Sequence, residues 1–386
     1  MDPHIVALVR SSFRAVAASP AGPGALASAF YAALFGTNPD MREFFPAAMN
    51  TQRDRLVRAI GYVIDRLDTP ECVLPYLAQL GRDHRKYGFD DTHYAAVRTA
   101  LVAALEKVCA PQTWTAEVDA AWRQVITLIS DAMMDAARAE SGPRSWVGTV
   151  VEHRRVLHDV AIVRLQLDQP MSYAAGQYVS VQVPGRPRMW RQLSLATPCS
   201  ADGILEFHVR RIPGGWVSSA IVDNARVGDT WVVGSPVGSL GIVSAPERDR
   251  LMIGVGTGTA PLRAQLMSMA RNSRNRCTHL FVSGRYPCDL YDLEMLWALS
   301  RTNAWLTVVP VVEESFDPWW YEGRSEIPAG LHQVLVGKVG SVVAGYSNWA
   351  DHDIQISGSP STIQTIKFRL QAVGVESGHI RHDPLP

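Results

Sequence analysis

Leu251-Met252-Ile253-Gly254-Val255-Gly256-Thr257-Gly258-Thr259-Ala260-Pro261-Leu262-Arg263 is an apolar strand that runs through a glycine-rich turn into the start of a helix. Its glycines let backbone N–H groups come close to a phosphate. Pro261 suits a first helical turn, where its missing N–H costs nothing. A plain strand-to-helix turn has the same outline, so the flanks decide the reading. Residues 251–255, 279–282, 306–312 and 353–357 are apolar runs of strand length with helical stretches between them. That alternation predicts βαβ units and a doubly wound parallel sheet over residues 246–386.

Upstream the pattern shortens. Residues 146–151, 160–167, 177–183, 205–209 and 230–233 alternate or run β-branched between Gly and Pro turns, which predicts a small antiparallel β-barrel over residues 146–245. Three motifs lie in it: Tyr173-Ala174-Ala175-Gly176-Gln177-Tyr178, Arg191-Gln192-Leu193-Ser194 and Gly214-Gly215-Trp216-Val217-Ser218. Arg191 offers a planar fork to a pyrophosphate. Gly214 and Gly215 allow close backbone approach, and Ser218 is expected to cap a helix whose N-terminus attracts anions. An ordinary strand arginine and a Gly-Gly turn are the plain alternatives, and only the order of the three motifs argues against them.

The first 140 residues read as all-α. Apolar residues recur at three- and four-residue spacing, as in Leu56, Ile60, Val63, Ile64 and Leu67, or Val97, Leu101, Ala104, Leu105 and Val108. Ser141-Gly142-Pro143-Arg144-Ser145 breaks the pattern and is the expected linker, residues 141–145. His84 sits in Leu80-Gly81-Arg82-Asp83-His84-Arg85-Lys86-Tyr87-Gly88, ahead of a new helix starting near Asp90. By itself it reads as a solvent-facing histidine in a basic run. Its context is Phe30-Tyr31, Asn38-Pro39-Asp40, Phe44-Phe45 and Gln52-Arg53-Asp54-Arg55-Leu56.

Composition narrows the class. A chain of 386 residues, 47% hydrophobic and 19% charged, has room for two to three globular domains. Thirty-seven basic residues balance 37 acidic ones, so nothing points to nucleic acid. Five scattered cysteines without a Cys-x-x-Cys pair argue for a reducing compartment and against a disulfide or zinc framework. The opening Met1-Asp2-Pro3-His4-Ile5-Val6 lacks a basic leader, and no apolar run approaches the roughly 18 residues of a membrane span. A cytoplasmic location is expected, with no membrane contact indicated.

In this order the motifs resemble the flavohaemoglobins, a globin fused to a ferredoxin-reductase-like FAD and NAD module, along nearly the whole chain. The resemblance implies a globin domain over residues 1–140 holding haem b. His84 is then the proximal iron ligand, Tyr31 and Gln52 the distal hydrogen-bonding pair, Leu56 the distal apolar wall and Phe45 the ring packed on the haem; Tyr94 belongs beside the proximal histidine. Arg191, Gln192, Leu193, Ser194, Gly214, Gly215 and Ser218 are the implied FAD contacts, with the Ser194 hydroxyl near the reactive flavin nitrogen. Gly254, Gly256, Thr257, Gly258, Thr259, Pro261, Arg285, Ser357 and Gly358 are the implied NAD(P)H contacts. The family reaction is nitric oxide dioxygenation: NAD(P)H reduces FAD, FAD passes single electrons to haem, and O2 and NO become nitrate. A phenol O–H and an amide N–H suit the partial negative charge on iron-bound oxygen, because charge-assisted hydrogen bonds are about twice as strong as neutral ones.

Several positions depart from the family. Leu193 stands where a Tyr packs on the flavin, Ser357 where a Cys faces the nicotinamide, and Asp383 and Leu385 where the tail carries a Glu and an aromatic ring. Ala137 occupies the position of a Glu that acts on the proximal histidine; Glu140, one turn on, is the nearest substitute, and Asp83 is a further acid beside the ligand. Two alternatives stay open: a haem–FAD oxidoreductase fed by a small donor such as a 2-hydroxy acid or a quinol, and a haem-based O2 or NO binder or sensor with a vestigial reductase.

Overall fold

The computed structural model describes residues 1–18, 22–241, 247–272 and 274–383. Leu385 and the expected domain boundary at residues 245 and 246 lie outside them. The chain divides into two compact units, residues 1–145 with 187–189, and residues 146–186 with 190–386.

The first unit is all helical. It comprises α1 (Pro3–Ala17), α2 (Gly22–Thr37), α3 (Asn50–Asp65), α4 (Pro70–His84), α5 (Asp91–Val108) and α6 (Ala116–Ala139). Local chemistry starts these helices. Asp2 accepts from the His4 N–H ahead of Pro3, Asp90 and His93 form a reciprocal capping box on α5, and Thr115 accepts from the Val118 N–H on α6. Apolar faces then meet in one core around the fully buried Leu26, Leu34, Leu77, Leu105 and Trp122. The Trp122 indole donates to Ser12 Oγ at 2.9 Å, so even its polar edge is satisfied. Helices α4 and α6 cross so closely that a Cβ at Gly81 would collide with the Met133 backbone carbonyl.

The second unit begins with β1 (Trp146–Leu157), β2 (Val160–Leu167), β3 (Tyr178–Gln182), β4 (Arg191–Ser194), β5 (Ile204–Arg210), the single turn α7 (Trp216–Ser219) and β6 (Thr230–Val233). They form an antiparallel sheet in the order β4-β3-β6-β1-β2-β5. A bridge between Leu195 and Phe207 joins its two edges, which closes the sheet into a barrel. The β4 strand is short and half-exposed, and its sequence shows a motif more clearly than an alternation.

There follow β7 (Arg250–Val255), α8 (Thr259–Met269), β8 (Thr278–Gly284), α9 (Leu293–Thr302), β9 (Leu306–Val312), β10 (Leu335–Val336), α10 (Val339–Tyr346), β11 (Asp353–Ser357), α11 (Pro360–Ala372) and β12 (Ile380–Arg381). The sheet order β10-β9-β8-β7-β11-β12 is parallel throughout. Strand order reverses between β7 and β11. Crossovers leave the sheet on opposite faces there, so a crevice opens at the carboxyl ends of the strands. Gly256–Gly258 and the residues after Ser357 flank that crevice.

Candidate functional site

The helical unit gathers its aromatic residues into two clusters. On one wall Tyr31 packs edge-on to Phe30 and Phe45 and stacks with Phe35, with centroids 4.9, 5.4 and 5.6 Å away. On the other, His84 meets Tyr87 and Phe89, and Phe89 in turn meets Phe44, His93 and Tyr94. The adjacent Phe44 and Phe45 thus part, one to each wall. Phe45 faces Tyr31 and Phe35, while Phe44 reaches the histidine side. Burial and then the Asp83 charge raise the pKa of the Tyr87 hydroxyl, and Arg55 and the Tyr31 phenol act on it more weakly.

His84 ends α4 with its Nδ1 2.7 Å from the Leu80 carbonyl. A carbonyl accepts only, so Nδ1 carries the proton and Nε2 keeps its lone pair. Burial lowers the pKa of the ring, which favours that neutral form. Across the pocket, Gln52 on α3 hydrogen-bonds the Tyr31 hydroxyl. Burial pushes Tyr31 up to about 12, and the Gln52 contact works against that shift, as an amide N–H donating to the phenol oxygen does. The phenol keeps its own O–H for a ligand. Leu56 is half-buried against the same core. Arg53 Nε and Arg85 Nη1 are buried without a partner among the described residues. One imidazole with a free Nε2, apolar and aromatic walls, and two cationic groups in want of anions fit a haem with its propionates.

Both acids near His84 have a cationic partner, and Asp83 also acts electrostatically on the His84 ring. The last turn of α6 closes at Ala139, so Glu140 leaves the helix with extended backbone, and its carboxylate lies 3.9 Å from Arg82. Asp83 pairs with the buried Lys86 at 2.6 Å. Tyr94 is buried, which raises its pKa. Phe44, Tyr87, Phe89 and His93 carry no assigned role in the sequence, where the aromatic density of residues 87–94 is the available signal.

In the barrel, β4 pairs with β3 so that Ser194 faces Tyr178, Leu193 faces Val179, Gln192 faces Ser180 and Arg191 faces Val181. Gly214 has φ +73°, which glycine adopts without strain. A Cβ at Gly215 would meet Ser218 Oγ at 2.6 Å and the Ile212 carbonyl at 2.9 Å. Ser218 corrects its expected role. Gly215 is the N-cap of α7, and the Ser218 hydroxyl, inside that turn, accepts from the Ile212 N–H at 3.1 Å. It shapes the Gly214-Gly215 turn and does not cap a helix toward an anion. Asp383 lies near Tyr178, its carboxylate 3.0 Å from where a Gly238 Cβ would stand and accepting from the Ser239 N–H at 3.1 Å. Burial raises Asp383 to about 6.

At the crevice, the glycine-rich loop is pressed onto the end of β11. A Cβ at Gly258 would lie 2.5 Å from the Ser357 carbonyl and 2.8 Å from the Gly358 Cα. Gly254 lies within β7, and its missing Cβ makes room for the Thr259 hydroxyl at 2.8 Å, a packing task at the strand-to-helix corner. Pro261 is buried in the first turn of α8, and Thr257 lies in the tight turn before it. Thr259 Oγ1 is buried without a partner among the described residues, an unmet hydroxyl behind the loop. Exposed Arg285 follows β8, its backbone N–H held by Asp289 and its guanidinium 5.1 Å from the Tyr286 ring. A bare backbone turn, an unmet hydroxyl and a cation at the carboxyl ends fit a dinucleotide.

A buried ion network, which the sequence reading missed, ties the barrel to α8. Glu206 on β5 contacts Arg263 at 2.6 Å, Arg164 at 2.7 Å and His208 at 3.1 Å, and Arg263 reaches the Ala196 carbonyl and Asp292. Burial alone would raise Glu206, but His208, Arg263 and Arg164 outweigh it and hold the carboxyl at about 2. The Glu206-x-His208 spacing, which puts both side chains on one face of β5, was its only trace in the sequence.

Comparison with known proteins follows the same three parts. Residues 28–133 match the globin family model, 148–242 the oxidoreductase FAD-binding domain and 252–366 the oxidoreductase NAD-binding domain. The reductase subunit of an aromatic O-demethylase from Amycolatopsis sp. is 31% identical over 60% of this chain, which spans 66% of that protein's length. A flavohemoprotein from Vibrio cholerae is 22% identical over 94% of this chain and 93% of its own. The crystal structure of the Malassezia yamatoensis flavohemoglobin, with bound FAD and haem, superposes with a TM-score of 0.78 at 16% identity, covering 99% of this chain and 98% of that one.

Proposed function

We propose that this chain, a globin joined to the FAD-binding and NAD-binding domains of an oxidoreductase in the flavohaemoglobin arrangement, is a nitric oxide dioxygenase that draws electrons from NAD(P)H. The observation that carries it is the Tyr31–Gln52 hydrogen bond facing the pocket of His84. A pocket that only held haem for electron transfer needs no such donor pair. Bound haem supplies the gas-binding iron, and bound FAD supplies the step from hydride to single electrons.

The chain's own groups do the rest. The Leu80 carbonyl fixes the His84 tautomer and leaves Nε2 as the atom that would hold the iron. Gln52 orients the Tyr31 hydroxyl, and burial keeps that phenol protonated through the physiological range. Phe30, Phe35 and Phe45 exclude water from it. In the reductase unit, Arg191 and the Gly214-Gly215 turn would take the FAD pyrophosphate, and Ser194 and Asp383, both near Tyr178, would lie at the flavin edge. Gly256–Gly258, Arg285 and the Ser357-Gly358 corner take the donor nucleotide.

Anaerobic titration of the holoprotein with NADH, following flavin bleaching and the Soret band together, tests this reading. Loss of both oxidised signals at a rate in the ordinary enzyme range, about 1–1,000 per second, is expected. A flavin that stays oxidised overturns NAD(P)H as donor. Leu193 and Ser357 favour that second reading, with a 2-hydroxy acid or a quinol feeding the same flavin, because both replace polar or sulfur contacts at the redox face. A chain that binds gas and turns over with no donor would be a binder or sensor.

A further inference from the structure

The amino ends of the parallel strands hold a second cleft. It has a volume of about 850 Å³, lies between the barrel and the C-terminal end of α8, and is the size of a small-molecule site. Arg250, the first residue of β7, lines it with Arg271, Arg274 and Arg276, and no carboxylate does among the described residues. The glycine-rich loop is at the other end of both β7 and α8, so this cleft is separate from the nucleotide crevice.

Three of these guanidiniums have a plain explanation. Arg271, Arg274 and Arg276 are exposed and follow a helix C-terminus, where cations offset the partial negative charge. That account does not reach the floor. Gln265 is 6% exposed, lines the cleft, and its amide Nε2 is buried without a partner among the described residues. Arg250 Nε is buried in the same condition, and its guanidinium donates to the Met269 sulfur, a weak acceptor. Leaving a buried donor unmet is costly, and two of them beside three exposed guanidiniums describe a site short of an acceptor. Among the described residues no carboxylate lies within ion-pair distance of the four arginines; Asp353 acts on Arg250 only from farther off and is itself paired with Arg381.

We propose that this cleft is a binding site for a phosphorylated small molecule, with Gln265 and Arg250 at its floor and Arg271, Arg274 and Arg276 at its rim. Planar guanidiniums and an amide N–H match phosphate oxygens in geometry and charge. The concave shape favours a compact ligand over a polymer.

The test is calorimetric titration of the haem- and FAD-loaded chain with inorganic tripolyphosphate and with ADP, in saturating NAD+ to keep the nucleotide crevice filled, at physiological salt. Saturable binding of either probe is expected, weakened at least tenfold in the Arg274→Glu/Arg276→Glu double variant and about tenfold in Gln265→Leu, with FAD content and NADH affinity unchanged. Binding of ADP alone marks a nucleotide; equal binding of both marks recognition of the phosphates, and either supports the site. No binding of either probe, binding equal in all variants, or a response to heparin without one to tripolyphosphate overturns it.

Discussion

At the scale of single residues, donors and their directions set the chemistry of the pocket. His84 is held by one carbonyl, so His84→Gly is expected to abolish stoichiometric haem retention, and added imidazole to restore a Soret band. A variant that kept its haem unaided would place the ligand elsewhere. Tyr31→Phe removes one donor to a charged ligand, about 1.5–3 kcal/mol, and is expected to speed O2 dissociation roughly tenfold to a hundredfold in a stopped-flow measurement. Because burial holds Tyr31 at about 12, that dissociation rate is expected to be flat through neutral pH. The types Tyr, Gln and His were legible in the sequence; the Leu80 carbonyl was not, because a backbone acceptor carries no letter of its own.

At the scale of elements, close crossings and buried charge decide what tolerates change. Gly81 lies one turn before His84 at the crossing of α4 and α6, and any side chain there meets the Met133 carbonyl. Gly81→Ala is expected to lower the stability of the helical unit by about 1–3 kcal/mol, as overpacking does, and to loosen haem, read by thermal melts and haem transfer to a competing globin. Glu206 joins β5 to α8, and Glu206→Gln leaves Arg263 half-partnered, at a cost of about 3 kcal/mol. Since the folded carboxyl titrates near 2 against an ordinary 4.5, this contribution is complete above about 4.5 and is lost as pH falls toward 2. Acid melts of the variant are expected to show a flatter slope across that window. Asp383 has the opposite sign. Its folded pKa of about 6 exceeds the ordinary 3.8, so docking of the tail beside Tyr178 is firmest below 3.8 and weakens as pH rises through 6. Hydrogen exchange at Ile380 and Arg381 is expected to report this, and Asp383→Asn to remove it.

At the scale of the whole molecule, periodicity announced the order of helices, antiparallel strands and βαβ units, because each buries its apolar side chains at its own repeat. The β4, β10 and β12 strands escaped it, since four residues or two are too short to show a period. The proposed function is a current from donor to gas, and Leu193→Tyr tests its entry. If the leucine tunes the flavin, the variant is expected to change the flavin midpoint potential and FAD retention while leaving the haem spectrum alone. By itself the sequence determined the element types and the glycine-rich turn, because these depend on neighbours a few positions apart. Tertiary structure alone decided that Glu140 turns to Arg82, that Ser218 holds the Ile212 N–H, that Phe44 and Phe45 part, and that Glu206 meets Arg263. Those partners come from other turns, strands or domains, and only folding sets their distance and burial.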